Sequence, residues 1–352
     1  MTPPFYADHV GSLLRPAGVA DARKRNDRAF VEEAIRKAIR KQEEIGLQSI
    51  TDGEFRRDFW HLDFMKEMDG VTLKSAVGMT FQAEDVPPMA TVTGKVKCTK
   101  PIMVEDFAFL KKETRRTAKF CMPSPGSLHF RGGRNAISRE VYPELAQFWA
   151  DAGDAWRQAI RHLADAGCTY LQLDDVGFSY LCDANVRENF RKNGDDPDGL
   201  ERAYAGAINR ALRERPAGMA VTMHTCRGNF RSTWFASGGY QDEVLEGMFS
   251  ADVDGFFMEY DTERAGGFEP LRRLPKGKKV VLGLVTTKSG ALESKDALKR
   301  RIDEAARYVP LENLRLSPQC GFSSTHHGNK LTEDEQWRKL ELVVQVAREV
   351  WG

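Results

Sequence analysis

The 352-residue chain contains no window approaching the ~18 consecutive apolar residues of a membrane span. Its opening stretch, MTPPFYADHVGSLLRP, lacks the basic start and apolar core of a secretory signal. Charge of one sign is missing as well: 52 Lys+Arg face 51 Asp+Glu, a net charge of +1, and no long basic or acidic block occurs. Neither nucleic acid nor a membrane surface therefore finds electrostatic support as a partner. Cysteine is sparse, six residues without regular spacing, which fits reduced thiols in a cytoplasmic protein rather than a disulfide framework. No internal repeat or low-complexity linker marks a second domain. The expectation is one soluble domain over residues 1–352.

What is present is alternation. Short β-branched or apolar runs are followed by segments of helical period almost throughout. FVEEAIRKAIRKQEEIG (30–46) places Val31, Ile35, Ala38, Ile39 and Ile45 on one face, with Gly46 as a stop. The long segment ending at Gly167 precedes TYLQLDDV (169–176), a strand pattern closing on two acids. GLERAYAGAINRALRER presents Leu200, Tyr204, Ala207, Ile208 and Leu212 at helical spacing. MAVTMHTC, GFFMEYD, KVVLGLVTT and LRLSPQC read as further strands, and Thr332 with Glu335 has capping-box spacing at the start of a last helix. With YADHVGS, LQSITDGEF and AKFCMPSP this gives eight strands. Strand–helix alternation implies parallel pairing, and eight repeats close into an α/β (β/α)8 TIM barrel. An open doubly wound sheet is the competitor, but no G-x-G-x-x-G follows the first strand. Residues 70–102 alternate like a hairpin and are read as an inserted β-arm, a lid or a surface for homodimer formation.

In a barrel, chemistry collects at the C-terminal strand ends. Those ends carry His9, Gly11 and Ser12; Asp52 and Glu54; Asp174 and Asp175; His224 and Cys226; Glu259; and Cys320. His224 and Cys226 stand two apart on a strand, so both side chains face one side. Alone, that pair is equally a buried imidazole beside an inert thiol. Joined by Glu259 and Cys320 from neighbouring strand ends, it becomes an N/S/O/S set suited to tetrahedral Zn2+. Glu259 paired with an arginine and Cys320 packed in the core are the alternatives. A zinc so bound suits thiol activation, because a free thiol of pKa ~8.5 is mostly protonated near neutrality.

HVGS, DGEFRRD, LQLDD, MHTC, FFMEYD and SPQCGFSS together resemble the cobalamin-independent methionine synthases, in particular their C-terminal catalytic barrel, over essentially the whole chain. The resemblance implies zinc on His224, Cys226, Glu259 and Cys320, and homocysteine held by the Gly11–Ser12 turn, Glu54 and Asp174. Two carboxylates suit an α-ammonium, and the N–H groups of a Gly-Ser turn suit a carboxylate. His9 and Asp175 are further substrate-side candidates. A salt bridge with Arg56 or Arg57 is the bland alternative for Glu54, and a helix cap or loop-fixing role for one of Asp174 and Asp175.

Three departures from the family pattern stand out. The chain has no room for the additional N-terminal barrel of full-length members. Where the family carries a proton-handling His, LVTTKSG places Lys288, an ammonium of pKa ~10.4 that suits an anion better than a proton relay unless desolvated. The tryptophan expected against a folate ring is absent from MPSPGSLHFRGG, leaving Phe130 as the nearest aromatic, with His129 beside it.

The implied activity is zinc-dependent methyl transfer to homocysteine, giving methionine, with Asp174 and Lys288 as catalytic candidates. The donor is a methyl-folate, a methyl-corrinoid (bringing a corrinoid protein as partner) or another small methyl compound. The alternatives are a transferase alkylating another thiol, such as an epoxide:coenzyme M transferase, and a non-catalytic zinc- or thiol-binding barrel. A decarboxylase related by fold leaves the four-ligand set unexplained.

Overall fold

The computed structural model describes residues 2–74, 88–236 and 238–352. Seven strands form one parallel, curled sheet: β1 (Ser49–Ile50), β4 (Thr117–Pro123), β5 (Tyr170–Asp175), β6 (Ala220–Thr225), β7 (Gly255–Glu259), β8 (Lys279–Val285) and β9 (Leu314–Pro318), adjacent in that order. Two more, β2 (Asp69–Lys74) and β3 (Met89–Lys97), pair antiparallel in a sheet of their own. The arm expected over 70–102 is thus described at its two flanks; residues 75–87 lie outside the described residues.

The parallel strands are buried at nearly every position, as strands covered on both faces must be. Helices supply the outer cover. Helix Arg28–Ile45 begins at Asp27, whose side chain accepts from Phe30 N, and stops at Gly46, whose φ of 104° favours a residue without Cβ. Helix Leu145–Asp165 buries Phe148, Ala152, Trp156, Ile160 and Leu163. The Trp156 indole N–H donates to the Pro123 carbonyl at 2.6 Å, tying this helix to the end of β4. The last helix, Glu333–Trp351, opens with the reciprocal Thr332–Glu335 capping box.

The first expected strand, YADHVGS, is reduced to a single parallel bridge, Ala7 to Leu316 on β9. It is pinned by Asp8 N to Leu316 O at 3.0 Å and Leu316 N to Tyr6 O at 2.9 Å. What anchors the segment is a buried polar knot: Asp8 accepts from Lys119 Nζ at 3.1 Å, Ser49 Oγ at 2.7 Å and Tyr170 Oη at 2.7 Å. A buried charge persists only when partnered in this way. The curl of the sheet brings the C-terminal ends of β5 through β9 around one opening, where the sequence candidates gather.

Candidate metal centre

His224 lies on β6, in register with Asp174 on β5 and Phe257 on β7. Cys226 follows two residues later, its N–H bound to the Asp175 carbonyl at 2.8 Å. Glu259 is the last residue of β7, and Cys320 stands two residues beyond β9. All four side chains are buried, and one donor atom from each lies within 4.8 Å of the others. Cys226 Sγ and Cys320 Sγ are 3.5 Å apart, and His224 Nε2 is 3.9 Å from Glu259 Oε1. The four sequence candidates therefore meet at one point.

The electrostatics match that convergence. The hydrogen bond from Cys226 and the neighbouring His224 hold the Cys320 thiol down at about 5 against the cost of burial, while Cys226 is pushed well up. Burial opposes charge on His224, but the Asp174 carboxylate and the Cys320 sulfur outweigh it and raise it to about 10. Burial would raise Glu259; Lys288, then Arg264, His224 and Arg227, keep it low instead. Two groups that the sequence did not single out hold this carboxylate: Oε1 accepts from the backbone N–H of Arg227 at 3.2 Å and Oε2 from the Arg264 guanidinium Nη2 at 3.0 Å.

The donor set fits a tetrahedral N/S/O/S ion. Among the described residues His224 Nε2 is buried without a hydrogen-bond partner of ordinary geometry, its polar neighbours being the Cys320 sulfur and, at 3.9 Å, Glu259 Oε1, a costly state for an imidazole unless something binds it. Its other nitrogen, Nδ1, is 3.2 Å from Asp174 Oδ1. A carboxylate behind a histidine is the arrangement that orients metal-binding imidazoles.

Beside this centre Glu54, Asp174 and Cys121 form a second buried set, one donor atom of each within 4.8 Å of the others. Glu54 sits at φ 61°, a left-handed conformation rare for a side chain with Cβ. Among the described residues its Oε2 is buried and unpartnered, and Oε1 is 3.4 Å from Arg57 Nη1. The bland alternative of a salt bridge with Arg57 is thus half realised. Burial raises Glu54 to about 7, with Arg57 pulling down and Asp174 pushing up. Gly11, at φ 129°, packs so closely that a Cβ there would lie 2.6 Å from Cys121 Sγ. Ser12 abuts the turn after Cys320: a Cβ on Gly321 would stand 1.9 Å from its Oγ.

Other candidates lie elsewhere. His9 turns its Nε2 to the Ser49 carbonyl at 3.2 Å inside the sheet, where burial and then Lys119 hold it down at about 4. Asp175 accepts from Ser124 Oγ and, at 3.1 Å, from Phe178 N, so it is the acid that fixes the turn after β5. Among the described residues Lys288 Nζ is buried without a hydrogen-bond partner, within electrostatic reach of Glu259. His129 is consumed by Tyr204 Oη and Asp195 Oδ1, both at 3.0 Å. Phe130 lines a small cavity that also reaches Cys226.

A family model described as the catalytic domain of cobalamin-independent synthase matches residues 14–349. The uncharacterized protein YxjH of Bacillus subtilis is 44% identical, covering 99% of this chain and 95% of its own length. A 5-methyltetrahydropteroyltriglutamate–homocysteine methyltransferase of Thermotoga petrophila is 23% identical over 92% of this chain but only 42% of its own. A Listeria monocytogenes structure described as a candidate vitamin-B12-independent methionine synthase superposes with a TM-score of 0.80 at 40% identity, covering 100% of this chain and 99% of that one.

Proposed function

Because the chain belongs to the family of the cobalamin-independent synthase catalytic domain, we propose that it moves a methyl group onto the thiol of homocysteine, giving methionine, at a zinc site. The observation that carries this reading is the shared wall between two clusters: four soft and hard donors on one side, two carboxylates on the other, with Asp174 bordering both. His224, Cys226, Glu259 and Cys320 would hold the ion. The chemistry it supplies when bound is to keep an incoming thiol as thiolate near neutral pH.

The protein's own groups do the rest. Glu54 and Asp174 receive the α-ammonium, and the Gly11–Ser12 turn the α-carboxylate, so that the thiol is delivered toward the donor cluster. Asp174 also fixes the His224 ring through Nδ1. Lys288 keeps Glu259 anionic and leaves an ammonium free for negative charge on the departing group. His9 and Asp175 support this site from behind: His9 through the polar knot of the sheet, Asp175 through the turn after β5. Phe130 stands on the donor side. Residues 6–8 take the eighth position of the barrel.

The test is metal content combined with turnover. Purified protein should hold about one zinc per chain and form methionine from homocysteine with methyl-folate or methylcobalamin. Equal or better alkylation of coenzyme M, or no binding of homocysteine by calorimetry, would overturn the reading.

A further inference from the structure

The groups that would hold an aminothiol differ in how they are anchored. Asp174, His224 and Glu259 stand on strands β5, β6 and β7. Glu54 and Cys320 stand on loops, the first beyond β1 and the second beyond β9, the two edge strands of the parallel sheet. Among the described residues no ladder of backbone hydrogen bonds joins those edges: β1 pairs with β4, and β9 with β8. The separation of the two loops must therefore be set by something other than the sheet.

Residues 12–15 run between them. Leu13 N donates to Gly53 O on one side, and Ser12 O accepts from Phe322 N on the other, both at 3.0 Å. Arg15 completes the strut. Its Nη2 donates to the carbonyls of Glu54 and Arg57, each at 3.0 Å. Its Nη1 donates to Ser323 O at 2.6 Å, Ser323 Oγ at 2.5 Å and Thr325 O at 3.3 Å. One guanidinium thus fastens both loops, and it does so where the backbone needs it. Glu54, at φ 61°, holds a left-handed conformation that persists only where the surroundings over-determine it, and Arg15 grips the carbonyls at both ends of that turn. Across the gap Ser324, between the two Arg15 acceptor residues, places its Oγ 3.9 Å from Cys320 Sγ.

We infer that Arg15 is a positioning residue that sets the spacing between the Glu54 carboxylate and the Cys320 sulfur, and thereby the length of aminothiol that the site accepts. This rests on the methyltransferase reading above, in which the ammonium meets Glu54 and the thiol meets the donor cluster. Among the described residues Arg15 bonds only to loop carbonyls and one hydroxyl, so it acts through the loops and not on the substrate. A guanidinium presents its donors in a rigid plane and can face both loops at once, whereas an ammonium is a single point between them. With the loops fastened, homocysteine reaches both ends of the site, and cysteine, one methylene shorter, leaves one end unmet. With the fastening removed, each loop settles independently and the shorter chain is no longer penalised.

The test is calorimetric binding of homocysteine and of cysteine to the purified, zinc-replete protein, with zinc content and a thermal melt recorded for each variant. The wild type should prefer homocysteine by about tenfold or more, the usual worth of one methylene in a fitted pocket. Arg15→Met should cut that preference to a few fold, chiefly by weakening homocysteine, with zinc content unchanged. Arg15→Lys keeps the charge and loses the fork, so it should do the same, and it carries the test if the methionine variant does not fold. A purely structural role weakens both ligands alike, so an unchanged ratio in a folded variant overturns the assignment. Loss of the folded state in both variants overturns it too, since Arg15 is then a residue of stability. If the wild type binds homocysteine without preferring it to cysteine, the spacing role fails and the methyltransferase reading stands. Homocysteine failing to bind the wild type overturns that reading, and this inference with it.

Discussion

Asp174 Oδ1 lies 3.2 Å from His224 Nδ1, and the same carboxylate is within 4.8 Å of Glu54 and Cys121. One side chain thus orients an imidazole of the donor cluster and forms a wall of the acidic pocket. Asp174→Asn should therefore fail in both tasks. Chelator competition should show zinc affinity down by about 10–100-fold, the usual cost of losing a carboxylate behind a ligating histidine. Calorimetry should show weaker homocysteine binding in the same variant.

Cys320→Ser should lose most of its zinc by elemental analysis and nearly all transfer activity. Serine has the shape of cysteine and a smaller terminal atom, so the variant should still fold. Full zinc content with a wild-type rate would remove Cys320 from the ligand set.

Glu54 gives a pH signature. Its carboxyl is raised to about 7 by burial, so below that pH it is protonated in the free protein. An ammonium ligand prefers the carboxylate, and homocysteine binding should tighten as pH rises toward 7 and level off above it. The folded pKa exceeds the unfolded value of 4.5. This group's stabilisation is therefore fully present below about 4.5 and is lost as pH rises to about 7. Glu54→Gln should flatten the binding profile and abolish that slope in urea titrations.

Lys288→Met should leave zinc content within a few fold but lower kcat more than it raises the KM for homocysteine, because the lost ammonium faces Glu259 rather than the acidic pocket. An unchanged kcat would reduce Lys288 to a packing residue.

Thr332→Ala removes the N-cap acceptor of the last helix, where Glu335 N donates to Thr332 Oγ1 at 3.2 Å. Thermal or urea melts should show a loss of about 0.5–2 kcal/mol with zinc affinity unchanged, a control that separates stability from the site.

The strands that lead to His224, Glu259 and Cys320 were legible because buried parallel strands write themselves as apolar runs, and their ends are where polar residues first reappear. The helices were legible through spacing and through stop signals such as Gly46. The first strand was over-read: YADHVGS has the pattern, but its backbone makes only the bridge at Ala7, and side chains around Asp8 hold the rest. His9 and Asp175 looked like ligands for substrate because sequence places them at strand ends without saying which way they point. Arg264 was invisible since a guanidinium's partner depends on loop conformation, and Arg227 because it meets Glu259 through its backbone N–H, which any residue type offers. His61 sat in plain view after DGEFRRD, but nothing local indicates that its ring lies between Trp60 and Phe130.

The four donors come from β6 and the residue after it, from β7, and from the segment after β9, which supplies the last of them, Cys320. A nascent chain that has not yet released β9 owns an imidazole, one thiol and a carboxylate, but not the second sulfur. If an ion binds these donors as proposed, its tight capture would wait until the final strand docks, so metal loading would belong to the end of biogenesis rather than to its nucleation.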